Sequence, residues 1–309
     1  MKKKKKHTGK KCYHMVNTKC SFVAIVGEPN AGKSTLLNTI VGEKISIVSH
    51  KVQTTRSQLR GVVELDDAQI VFIDTPGFCQ ANSALEKILI SNFRHSYKDA
   101  DVVLLVIDAT ARSHAGSIAF VEKFKDSKKL VAVAINKTDI ATKESLLLIA
   151  NELLDFEFVE KVFMISASKN DGVTEIKNFL QETAIEGPWM YEKGQTTDAK
   201  MPFRLAEITR EKIFKLLEKE LPYNIYVETE IYKSSEKKAQ IHQAIVVIKD
   251  SQKGIVLGKD GSMIQAIRAA TVADMRNMLK KNIELKLFVK VKKKWTEKKE
   301  HLQNAGIIY

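Results

Sequence analysis

From residue 21 onward, continuous apolar runs alternate with amphipathic stretches. FVAIV at 22–26, VVLLVID at 102–108, LVAVAI at 130–135 and VFMIS at 162–166 have the unbroken hydrophobicity of strands buried on both faces. The stretches 33–40, 84–97, 117–124, 143–154 and 173–183 read as helices between them, which predicts a mostly parallel sheet wrapped by helices on both sides. Two further runs, GVVEL at 61–65 and IVFID at 70–74, are joined only by Asp66, Asp67, Ala68 and Gln69. So short a connection predicts a hairpin, and therefore one antiparallel edge.

The pattern changes at Gly187 and Pro188, where EGPWMYEKGQTTDAKMPF shows no sustained period and reads as a linker over 188–203. A helix follows with Leu205, Ile208, Ile213, Leu216 and Leu217 on one broad face, ended by Leu221 and Pro222. Strands with period two at 225–231 and an apolar run at 244–248 come next. A helix at 251–257, a glycine pair, a helix through 263–275 and a strand over 283–291 complete the order. The expected organisation is a basic tail at 1–20, an α/β domain at 21–187, the linker, a smaller α+β domain at 204–295 and a basic tail at 296–309.

A length of 309 residues with 44% hydrophobic and 28% charged residues suits two packed domains rather than a disordered or fibrous chain. No apolar run reaches the roughly 18 residues of a membrane span, and the basic start lacks a signal-peptide apolar core, so a cytoplasmic location is expected. Cys12, Cys20 and Cys79 form no CxxC pair, and the seven histidines show no ligand spacing; neither a disulfide framework nor a histidine-held metal is indicated. The net charge of +13 is uneven: +8 over residues 1–20, −4 over 21–200 and +9 over 201–309. A mildly acidic centre between basic ends suggests one part for a small ligand and another that meets a polyanion, nucleic acid or an anionic membrane surface.

The chemistry begins where the first strand ends. Gly27, Glu28, Pro29, Asn30, Ala31, Gly32, Lys33 and Ser34 match GxxxxGKS between a strand and a helix. Glycines let the backbone wrap an anion, the loop amides and the helix N-terminus bind phosphate oxygens, Lys33 reaches the terminal phosphates and Ser34, followed by Thr35, can ligate Mg²⁺. The base is chosen elsewhere. Asn136, Lys137, Thr138 and Asp139 follow the strand at 130–135, where the Asp139 carboxylate can meet the two N–H donors of guanine; adenine has no such pair. Asn136 and Lys137 would hold that loop, and Ser166, Ala167 and Ser168 offer backbone N–H groups to the guanine oxygen. Asp74, Thr75, Pro76 and Gly77 end the hairpin, so Asp74 can contact Mg²⁺ through water and the Gly77 N–H the γ-phosphate. Between these lies His50 to Arg56, from which Thr55 or Thr54 can bring a hydroxyl to Mg²⁺. Lys33, Thr55, Asp74 and Gly77 would carry the catalytic work of GTP hydrolysis.

With these five segments in order, the chain resembles the translation-factor class of P-loop GTPases. QTTR at 53–56, DTPG at 74–77, EGP at 186–188, TD at 197–198 and AEITREKI at 206–213 resemble the Era family of bacterial ribosome-assembly GTPases. The second domain resembles a type II KH domain, with Gly258, Lys259, Asp260 and Gly261 as its GxxG loop. The resemblance implies a GTP/GDP switch with Mg²⁺ that binds the 3′ region of small-subunit ribosomal RNA. It also implies assistance in 30S assembly, a monomer, and weak peripheral contact with the inner membrane. Arg268, Lys286, Lys290, Lys292, Lys293 and Lys294, with Lys259, would attract RNA phosphates. Asn30 resembles the residue through which related GTPases hold K⁺. The chain departs from the family at Val52, where Pro is usual, and at Phe78 and Cys79 after DTPG. Phe78 stands where many GTPases place a water-orienting Gln, which implies slow intrinsic turnover.

Overall fold

The computed structural model describes residues 18–48, 59–75, 98–217 and 225–307. Thr54, Thr55, Pro76, Gly77, the helix expected at 84–97, the helix stop at Leu221 and Pro222, and all but the last few residues of the N-terminal basic tail lie outside them.

In the first domain the strands are β1 (Lys19–Gly27), β2 (Leu59–Leu65), β3 (Ala68–Asp74), β4 (Val102–Asp108), β5 (Leu130–Asn136) and β6 (Val159–Ile165). They form one sheet in the order β2-β3-β1-β4-β5-β6. Every neighbouring pair is parallel except the antiparallel β2 and β3, so the predicted edge hairpin is present. Its turn is tighter than expected, because Ala68 already pairs with Leu65 and Asp66 adopts φ 49°. An acid with a short polar side chain tolerates that left-handed conformation.

The described helices of this domain are α1 (Lys33–Val41), α2 (Ala115–Glu122), α3 (Lys143–Leu154) and α4 (Val173–Glu182). α1 and α4 cover one face through Leu36, Leu37, Ile40, Ile176 and Leu180, whereas α2 and α3 cover the other through Phe120, Val121, Ile149 and Leu153. Both faces being buried explains why β1, β4 and β5 are apolar without interruption. The parallel strands end on one side of the sheet, and that is where ligands sit in open α/β folds.

The second domain runs α5 (Met201–Leu216), β7 (Tyr226–Ser234), β8 (Lys238–Val247), α6 (Asp250–Leu257), α7 (Ser262–Leu279) and β9 (Asn282–Val291). Its sheet order is β7-β8-β9, with β7 antiparallel and β9 parallel to β8. The helices pack on one face against Ile245, Val247, Leu285 and Leu287.

Two segments differ from the expectation. Residues 188–200 are pinned rather than loose. The Gln69 side chain accepts from Met190 and Tyr191 N–H, each at 2.9 Å, and donates to Tyr191 O at 3.0 Å, while Val62 N–H donates to Thr196 O at 2.8 Å. The segment thus straps the β2–β3 edge and supplies partners to its open backbone groups. After 295 the chain is likewise not a free tail. Trp295, Leu302 and Ile307 are buried against Tyr226, Ala244 and Val246 on the outer face of the second sheet, with a short helix α8 (Lys299–Asn304) between them. Apolar area from three well-spaced residues outweighs the surrounding lysines.

Candidate nucleotide site and nucleic-acid groove

The loop after β1 is shaped by backbone that only certain residues accept. Gly27 has φ 148°, and a Cβ there would lie 2.3 Å from Val106 O; Gly32 has φ 99°, and a Cβ there would lie 2.2 Å from Asn136 Nδ2. Side chains are excluded at both points, which leaves a concave run of amides. Asn30 also takes a left-handed φ of 65° and is exposed at the rim. Lys33 is 6% exposed, and its Nζ donates to Gly27 O at 2.9 Å and Glu28 O at 2.7 Å, which holds the ammonium inside the loop. The Glu28 carboxylate lies against Gly116 in the first turn of α2.

Asp74 ends β3 with no exposed surface. Its Oδ2 accepts from Ser34 Oγ at 3.0 Å and from Ser46 Oγ at 2.7 Å. Two hydroxyls gathered on one carboxylate are hard oxygen donors that suit Mg²⁺ and not a soft metal. Ser46 escapes sequence reasoning because no motif marks it. Thr75 Oγ1 donates to Ile25 O at 2.6 Å, tying the end of β3 to β1.

Asn136 braces two loops at once: its Nδ2 donates to Ala31 O at 2.8 Å and its Oδ1 accepts from Ala167 N–H at 3.0 Å. The Ala167 amide is therefore directed at Asn136 rather than at an open base site. Ser166 is buried and Ser168 exposed. Lys137 has φ 68°, and its Nζ lies 2.5 Å from Asp108 Oδ2. Burial works to raise the Asp108 pKa, but Lys137 and the two hydrogen bonds from Thr110 prevail and hold it below its ordinary value. This pair fixes the loop that presents Asp139, which is exposed just beyond β5. Thr35 follows Ser34 in the first turn of α1. Lys33, Ser34, Asp74, Asn136 and Asp139 thus lie at or just beyond the C-terminal ends of the parallel strands β1, β3 and β5.

In the second domain, Gly258, Lys259, Asp260 and Gly261 form the turn between α6 and α7. Gly258 has φ 73°, and a Cβ there would lie 2.7 Å from Met263 N; Gly261 has φ 76°. Lys259 and Asp260 are exposed. Beside α7 a groove of about 280 Å³ is lined by Ile264, Gln265 and Arg268 and by residues 285–288 of β9, and Arg268 Nε donates to Leu285 O at 2.8 Å. Apolar walls with one guanidinium fit an unstacked base.

The basic residues predicted around this groove are divided by the structure. Arg268 and Lys286 line it. Lys290 is held by Glu230 and Lys292 by Glu228 at 3.5 Å and Tyr226 Oη at 3.3 Å. Lys293 and Lys294 lie beyond β9, with Lys294 3.7 Å from Glu297. Side chains alternate along a strand, which puts Lys290 on the face away from α6 and α7 and next to the acids of β7; sequence spacing alone does not show this pairing. No group of three or more His, Cys, Asp or Glu residues suited to a metal occurs among the described residues. Nor is any described helix long and apolar enough to cross a membrane.

Residues 22–137 match the family described as 50S ribosome-binding GTPase, and residues 220–296 match the KH domain family. GTPase Era of Agrobacterium fabrum is 41% identical over 291 residues, covering 94% of this chain and 92% of the relative. That of Rhizobium meliloti is 41% identical over 293 residues, covering 94% of both. A crystal structure of Era with MgGDPNP and nucleotides 1506–1542 of 16S ribosomal RNA aligns at TM-score 0.86 and 32% identity, over 94% of this chain and 100% of the other. An Aquifex aeolicus Era variant bound to GDP·AlF4− aligns equally well, at TM-score 0.86 and 32% identity over the same shares. With identity sustained along both domains, the chain belongs to the Era family of GTPases.

Proposed function

We propose that the chain is a GTP-hydrolysing switch that binds the 3′ region of 16S ribosomal RNA and assists small-subunit assembly and rRNA maturation. The observation that carries the nucleotide half is that the 27–34 amide cradle, Ser34 bonded to Asp74, and Asp139 all stand at the C-terminal ends of parallel strands of one sheet. Bound GTP with Mg²⁺ supplies the phosphoryl group and the charge neutralisation that transfer needs. The loop amides and Lys33 bind and orient the phosphates, Ser34 and Asp74 supply the oxygen donors, and Asp139 reads guanine. Thr54 or Thr55, Pro76 and Gly77 complete the set by sequence position. Turnover is slow, because Phe78 follows Gly77 and has no group to orient water.

The RNA half rests on the turn at 258–261, the adjoining groove and the charge of +9 over residues 201–309. The Era structure solved with the 16S fragment supports the same RNA as partner. A large-subunit role, as for the 50S ribosome-binding GTPases, is favoured less: that match stops at residue 137 and leaves the KH half unexplained. The working domains are 21–187 and 204–295, with 188–203 joining them.

Calorimetry tests the reading. GTP binds far more tightly than ATP, and Asp139→Asn lowers GTP affinity about 100-fold, the ~3 kcal/mol expected for lost hydrogen bonds to a charged group. Equal binding of ATP and GTP, or an unchanged preference in the variant, overturns it.

A further inference from the structure

We propose that the outer face of the second sheet, at Phe288 and His242, is a second stacking platform for single-stranded RNA, reached from the groove beside α7 over the open edge of β9. The inference rests on the RNA reading above and extends it to a face that reading does not use.

The groove contains the first indication. It is lined by the consecutive residues 285–288, although neighbouring side chains on a strand point to opposite faces. Four consecutive residues line one groove only where it runs along the strand's open edge, and β9 is an edge strand. Leu285 and Leu287 face the helices, so Lys286 and Phe288 project to the other face. A strand of RNA in the groove has only one protein backbone to cross before it meets them.

That face has what an unpaired base requires. Phe288 is 47% exposed, with its ring centroid 6.3 Å from that of His242 at an interplanar angle of 72°. Lys286 stands in register with His242 on the neighbouring strand, and Phe288 with Ala244. The C-terminal segment covers this face around Tyr226, Ala244 and Val246, yet Phe288, at the rim beside Ala244, and the neighbouring Lys286 and His242 stay outside that cluster. Charge favours a polyanion as well. Glu228, Glu230 and Glu284 are each matched by a lysine, Lys292, Lys290 and Lys238, and Lys286 adds a further positive charge. By contrast, the exposed Leu147, Leu148 and Leu154 of α3 have no ring among them and share their helix with Glu144 and Glu152. An exposed ring beside basic groups is the usual means of holding bases without reading their sequence.

The test uses the full chain with a non-hydrolysable GTP analogue, Mg²⁺ and nested RNAs from the 3′ end of 16S rRNA. His242→Ala, outside the groove lining, weakens binding of an RNA of about ten nucleotides roughly tenfold and leaves one of about four nucleotides, enough for the groove, unaffected, while Phe288→Ala, which also alters the groove's rim, weakens both and the longer RNA more. Phe288→Tyr keeps the ring and retains wild-type affinity for both. The His242 variant also serves where the Phe288 variant is unstable. With 4-thiouridine placed outside the groove segment, crosslinks appear in the peptide bearing Phe288. Unchanged binding of the longer RNA by both alanine variants, or equal losses for both RNAs, overturns the platform and leaves the groove reading intact. If the wild-type chain binds neither RNA, the reading of the groove fails and the platform with it.

Discussion

Asn38 shows how much of the site depends on one side chain outside every motif. From the last turn of α1 its Oδ1 accepts from Ile45 N–H at 2.8 Å and Ser46 N–H at 2.9 Å, and its Nδ2 donates to Ser46 O at 2.7 Å. These bonds hold Ser46 where its hydroxyl reaches Asp74. Asn38→Ala removes all three and leaves two backbone N–H groups and a carbonyl to find other partners. At about 1 kcal/mol net per bond the loss is ~3 kcal/mol. Urea unfolding reads it directly, and Mg²⁺-dependent retention of a fluorescent GDP falls in parallel. Asn38→Asp keeps the two acceptor bonds and recovers most of the stability. A variant as stable as the parent, with unchanged retention, would show that the 42–46 segment is held by something else.

At the scale of the element, legibility follows the source of stability. Strands β1, β4 and β5 were readable because burial on both faces leaves unbroken apolar runs. Helix α3 runs over its predicted span because Thr142 caps it, accepting from Ser145 N–H. The phosphate-loop motif and the NKxD motif with Asp139 stand out for another reason: the binding proposed for them demands particular residues at fixed offsets. The strap at 188–200 offered no signal, since its stability comes from Gln69 and the β2 edge, more than a hundred residues away in the chain. Ser46 and the partners of Lys290 and Lys292 are equally non-local. The segment after 295 was obscured by its charge, because its apolar residues are too few and too widely spaced to show a period. Trp295 has no exposed surface, and its ring centroid is 4.7 Å from that of Tyr226. Trp295→Ala therefore opens a cavity under the C-terminal segment and costs the second domain about 3–5 kcal/mol. Equilibrium unfolding followed by near-ultraviolet dichroism measures it; a loss under about 1 kcal/mol, typical of a surface substitution, would mean that residues 296–307 are dispensable.

At the scale of the whole molecule, the short connection from α1 to Ser46 is also a place where, among the described residues, the two domains meet. Glu43 accepts from Thr196 and is paired with Arg204. Lys44 Nζ lies 2.6 Å from Glu211 Oε2 and 3.0 Å from Asp274 Oδ2, while Lys212 and Lys215 pair with the same acids. A movement of Ser46 on the phosphate side has a two-residue path to α5 and α7, and α7 also lines the RNA groove. Burial opposes the charge on Asp274 and Glu43, yet their partners prevail and lower both pKa values; on Lys44 burial also opposes, and Glu211 and Asp274 prevail to raise it. The carboxylates therefore contribute fully above their ordinary values, and that part is lost as pH falls through the lowered folded values. The lysine contributes fully below its ordinary value, and its part is lost as pH rises through the raised one. At neutral pH the contact is intact. Lys44→Ala leaves the buried Glu211 with lysines at Oε1 and, among the described residues, none at Oε2, so the stability cost is about 3 kcal/mol, that of a broken buried pair. A second effect falls on communication. If binding of GTP and RNA is coupled by the 1–3 kcal/mol typical of linked sites, the variant binds each ligand alone as the parent does while the factor by which one strengthens the other shrinks severalfold. The thermodynamic box of four dissociation constants, with and without the second ligand, gives that factor. An undiminished factor in Lys44→Ala would mean that communication between the domains does not run through this contact.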